Sequence, residues 1–107
     1  MLPSGGEGWG FPITESQACG VACVHGKYGG GVEQIPDKNC LVEPVGYRLE
    51  TMWNSVRPVW DHLAWADRLQ HLIEEPLEPS VLTQAVSHLQ WPNLAPQWVK
   101  WLKAGLK

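Results

Sequence analysis

The chain has 107 residues, 44% of them apolar and 18% charged, and its net charge is −3. At about 100–200 residues per domain this is one small domain, with no room for two full cores. The apolar fraction excludes a disordered or fibrous chain, and the negative charge argues against a general polyanion binder. No run of ~18 apolar residues exists, so no transmembrane span is expected. Met1 to Gly10 has neither a basic region nor an apolar run, and does not read as a secretory signal. Three cysteines are an odd number, which points to thiols in a reduced, cytoplasmic setting.

Composition changes near residue 47. Residues 1–47 hold ten of the eleven glycines and all three cysteines, and residues 48–107 hold six of the seven tryptophans. The division expected is a Gly-rich, Cys-containing arm or lobe over 1–47 and a Trp-rich helical domain over 48–107. The fold class expected is mainly α, with three or four short helices in 48–107 and an irregular N-terminal lobe that can hold short strands. A small α+β fold is the alternative.

In the first half, glycines each weaken a helix by ~1 kcal/mol and four prolines add breaks. Loops, turns and two or three short strands are expected there, around Ala18 to Val24 and Cys40 to Val42. A Gly-rich terminus frays unless something pins it, such as a partner or a metal. In the second half, the apolar spacing of Leu49, Met52, Trp53 and Val56 fits a helix over Tyr47 to Arg57. Pro58 suits the first position of a second helix that Pro76 and Pro79 end. Its apolar face holds His62, expected as a core histidine, with Trp65, Leu69 and Leu72. Ser80 is an N-cap candidate for a helix over Val81 to Gln90, which Trp91-Pro92-Asn93 breaks. A last helix is expected from Pro96 to Ala104. Trp98, Val99, Trp101, Leu102 and Leu106 form its apolar side, and Lys100, Lys103 and Lys107 its polar side.

Cys19, Cys23, His25 and Cys40 are the densest reactive cluster. Three thiolates and one imidazole supply the four donors of a tetrahedral zinc site, and metal binding would order a Gly-rich segment. The expectation is therefore no cofactor, or one zinc ion on these four residues. The competing reading is that the cysteines are plain buried thiols.

The segment Glu15-Ser16-Gln17-Ala18-Cys19-Gly20-Val21-Ala22-Cys23-Val24, with Tyr28-Gly29 after it, resembles the nucleophile segment of the papain-like leader peptidases of bacteriocin exporters. The resemblance covers about 15 residues and implies Cys19 as a nucleophile opening a helix. Gln17 stands too close to Cys19 to match that family's oxyanion-hole glutamine, and no Asp follows His88 to complete a Cys/His/Asp set. A reactive Cys also needs a partner base.

Six tryptophans in residues 53–101 exceed ordinary usage. About four such rings suit a core of this size. Trp9, Trp60 and Trp91 are left over as candidates for partner binding, since Trp is enriched at interface hot spots. A membrane-surface role for the last helix needs more charge and a longer face than Pro96 to Ala104 offers. The function expected is that of a small, non-enzymatic accessory or regulatory protein, docking onto a larger protein or multi-subunit complex. The alternatives are a zinc-stabilised binding module, a small Cys-nucleophile hydrolase, and a helix-turn-helix-like nucleic-acid binder that uses Lys100 and Lys103.

Overall fold

A computed structural model describes residue 1 and residues 4–105 of the chain. The order is α1 (Phe11–Ala18), β1 (His25–Gly26), β2 (Leu41–Val42), β3 (Gly46–Glu50), β4 (Ser55–Val59), α2 (His62–Glu74), α3 (Pro79–Ala85) and α4 (Trp91–Gly105). Short 3-10 turns lie at Gly30–Gln34, Lys38–Cys40 and Ser87–Leu89. Among the described residues four α-helices and two small sheets make this a small α+β fold rather than a mainly α one.

The Gly-rich half contains a helix that its glycine content argued against. Residues 11–18 carry no glycine, Pro12 lies in the first turn, and Gly10 enters from the left-handed region at φ 86°. Ile13, Thr14 and Gln17 form its buried side. The arm ahead of it is pinned by the chain's own backbone. The Gly30 N–H donates to the Glu7 carbonyl at 2.9 Å. A Cβ on Gly30 would stand 2.0 Å from the Gly8 carbonyl oxygen, so this approach requires glycine.

β1 and β2 pair in parallel, His25 with Leu41 and Gly26 with Val42. This two-stranded ribbon is the centre of the molecule. On it lies one cluster of Ile13, Cys23, Ile35, Cys40 and Leu41, backed by Leu72 and Leu77. A second cluster joins Val24, Val42 and Trp65, backed by Trp60, Ala64 and Leu69. Both clusters draw on residues from both sides of position 47.

Tyr47 to Arg57 is a hairpin, not a helix. β3 and β4 pair antiparallel from Gly46 with Val59 to Glu50 with Ser55, and Asn54 turns the loop at φ 45°. The spacing 49, 52, 53, 56 fits a helix, but Tyr47, Leu49, Val56 and Val59 also suit a strand, and Asn54 supplies the left-handed turn residue. Only Pro58 of the hairpin is buried. Tyr28 ties it to the body, its hydroxyl donating to the Val56 carbonyl at 2.7 Å.

Pro58 therefore sits in a strand, and α2 starts four residues later. Asp61 caps it, Oδ1 accepting from the Leu63 N–H at 3.0 Å. His62 then falls at the first helical position, ahead of the packed turns. Its side chain is 92% exposed, so it is not a core histidine. α3 begins at Pro79, with Glu78 rather than Ser80 at the cap. α4 starts at Trp91, because Pro92 initiates the helix instead of breaking it; Pro96 lies inside. Leu106 and Lys107, expected on its two faces, lie outside the described residues.

The radius of gyration is 16.8 Å, against about 13 Å for a compact chain of this length. The extents are 52 × 40 × 15 Å, so the molecule is a flat plate. A plate encloses little, and the described core is correspondingly small.

Candidate functional site

The fold brings two of the four candidate zinc ligands into one cluster and leaves Cys19 outside it. Cys19 follows the last turn of α1 and is exposed, while Cys23 and Cys40 are buried in the first cluster. His25 is fully buried, and a Cβ on Gly31 would stand 2.5 Å from its Nε2. Among the described residues, no group of three or more His, Cys, Asp and Glu side chains is placed to hold a metal ion. Of the expected Cys19, Cys23, His25, Cys40 set, Cys23 and Cys40 share one buried cluster, while Cys19 lies exposed. In the Cys-x3-Cys spacing Cys19 follows the helix end and is exposed, whereas Cys23 is buried.

The two buried thiols are held in their neutral form. Burial pushes the Cys23 thiol up, partly offset by the Met1 α-amino group. The Cys40 thiol is pushed up to about 11, first by burial and then by Asp37 and Cys23, with Arg68 opposing. A neutral buried thiol is a poor nucleophile. Cys19 stands at the carbonyl end of α1 and its N–H is bonded back to Glu15 and Ser16. A helix-opening nucleophile needs the amide end, so the arrangement is the reverse of the leader-peptidase one.

Gln17 is the most constrained polar group. It is fully buried, and its Nε2 donates to the Gln34 carbonyl at 2.6 Å. Among the described residues its Oε1 has no hydrogen-bond partner. This amide locks α1 to the 3-10 turn beneath it.

The tryptophans divide differently from expectation. Trp65 alone is buried, rather than about four. Trp60 is half-buried and meets Trp65 edge-on at 5.8 Å, so it belongs to the second cluster. Trp9 and Trp91 instead share one feature. They line an apolar groove of about 490 Å³ between α1 and the α3–α4 corner. Phe11, Thr14 and Ala18 form one wall; Val86, Leu89 and Leu94 form the other. Among the described residues Glu15 is its only charged lining residue. Phe11 and Trp91 stand at the rim, 68% and 73% exposed. A smaller hollow of about 180 Å³ on the other side of Trp9 is lined by Glu33, Gln34 and His88.

The two helices that carry the groove's aromatic rim each have proline at their second position. Pro12 and Pro92 fix where α1 and α4 begin, and the helix starts carry Phe11 and Trp91 to the surface. Sequence reasoning missed Phe11, Val86 and Leu89 as lining residues, because the groove forms from elements distant in the chain. α4 continues from the groove with no buried residue along its length. Lys100 and Lys103 are exposed on it, and the 3-10 turn Ser87–Leu89 links α3 to α4. No helix among the described residues is long and apolar enough to cross a membrane. Comparison with protein-family models, curated proteins and solved structures finds no match to this chain.

Proposed function

We propose that this chain is a small cytoplasmic accessory or regulatory protein that docks onto a larger protein and catalyses no reaction itself. The groove between α1 and the α3–α4 corner receives an apolar segment of that partner. One observation carries the reading: Phe11 and Trp91 rim a 490 Å³ apolar groove with their rings in solvent. Large exposed aromatics around a concave apolar surface match the anatomy of an interface hot spot. The flat 15 Å plate supports the same reading, since a partner supplies the cover that the chain lacks. The neutral, buried state of Cys23 and Cys40 favours binding over thiol catalysis.

The test is crosslinked capture from the protein's own cells, with wild type beside Phe11→Ser and Trp91→Ser. Both side chains are exposed, so both variants keep the wild-type melting midpoint. The reading expects one protein retained in stoichiometric amount by wild type and reduced at least about tenfold by each variant, a hot-spot effect. Equal capture by all three contradicts it.

A further inference from the structure

α4 carries a second surface, beyond the groove and independent of it. We propose that α4 is an interfacial membrane helix, lying on an anionic lipid bilayer with its indole face in the headgroup layer.

Four observations converge. First, α4 has 15 residues, not the nine expected from sequence, so it is about 22 Å long. Second, at ~100° per residue Trp98, Trp101 and Leu102, past the groove residues Trp91 and Leu94, fall within an arc of about 100°. Trp98 and Trp101 are 53% and 62% exposed, and no residue of the helix is buried. Third, the charge is one-signed. Residues 79–107 hold Lys100, Lys103 and Lys107 and no Asp or Glu. Lys100 and Lys103 lie on the polar side, each ~150° from the middle of the apolar arc, as on the basic polar face of an interfacial helix. Fourth, the apolar arc is built on indoles. Trp prefers the headgroup level because one end of the ring is apolar and its N–H needs a polar partner.

These are the marks of a helix that lies in the interface rather than spanning it. The molecule's overall charge of −3 does not oppose this, because a Debye length of about 8 Å leaves the local lysines to decide contact. An acidic protein surface also attracts lysines. A seam against another helix, however, is usually built from Leu, Ile and Val, whereas this face presents Trp98 and Trp101.

The test is cosedimentation with vesicles of phosphatidylcholine mixed with phosphatidylglycerol, beside pure phosphatidylcholine vesicles. The full chain is expected to sediment with the anionic vesicles at least about tenfold more strongly than with the neutral ones. Raising NaCl to about 0.5 M should release it, as the Debye length falls to roughly 4 Å. W98E/W101E and K100E/K103E should each abolish binding without moving the melting midpoint. Should the tryptophan pair fail to fold, the exposed lysine pair still decides. Phe11→Ser, a groove variant, should bind vesicles like wild type, so loss of the groove function and loss of this one read out separately. No binding to anionic vesicles overturns the proposal. So does binding that either pair leaves unchanged, or a stable dimer that W98E/W101E dissociates, which would make a second copy the cover of α4.

Discussion

The Trp60 ring lies directly over Gly26, so that a Cβ on Gly26 would stand 2.4 Å from two of its carbons. That contact is closer than packing permits, so the ring reaches the second cluster only because residue 26 has no side chain. Gly26→Ala should therefore expel Trp60 from its place against Trp65. The expected loss is about 1–3 kcal/mol, the range for overpacking a core. Urea unfolding measures it. Trp60→Leu in the same background should recover part of the loss, and simple additivity of the two changes would contradict the contact.

The N-terminal arm rests on backbone contacts with residues 29–30. Gly30→Ala places a methyl 2.0 Å from the Gly8 carbonyl and breaks the seat of the Glu7 hydrogen bond. Amide exchange across residues 4–9 should rise at least about tenfold while exchange in α2 is unchanged, since local opening need not involve the core. Unaltered protection of the arm would show that something else holds it.

Thiol accessibility should split one to two. Cys19 is exposed and should alkylate in native protein, whereas Cys23 and Cys40 should react only on unfolding. The pH dependence has a definite sign. Folding raises the Cys40 thiol from its ordinary 9.0 to about 11, so the folded state holds that proton where the unfolded state has lost it. This contribution is complete below pH 9.0 and is lost as pH rises towards about 11. The Cys23 shift adds in the same direction. Urea midpoints between these pH values should fall in wild type and fall less in Cys40→Ala. Parallel curves would contradict the burial of the Cys40 thiol.

The sequence made the helical content of residues 62–105 legible, together with the presence of short strands near 41–42, because periodicity and proline placement act locally. The starts were less legible. A proline can initiate a helix or break one, and Pro58, Pro79 and Pro92 each needed tertiary context to decide. The α1 helix was hidden by the glycine average of its neighbourhood, although residues 11–18 contain none. The hairpin at 46–59 shared its apolar spacing with a helix. Trp9 and Trp91 stood out as surplus rings, but that they line one groove is a long-range fact. Trp60 also read as surplus, and only the bare backbone of Gly26, distant in the chain, gives it a place in the core. Sequence distance did not report the turn after Ala18, which leaves Cys19 exposed while Cys23 is buried.

The central claim, that a protein partner fills the groove beside Phe11 and Trp91, is tested most directly by native mass spectrometry. The protein is isolated from its own cells in volatile neutral buffer, as wild type and as Trp91→Ser. The account predicts that wild type flies as a stoichiometric complex with one larger protein, and that Trp91→Ser flies as the bare chain. A bare wild-type chain, or a complex that survives Trp91→Ser intact, would contradict it.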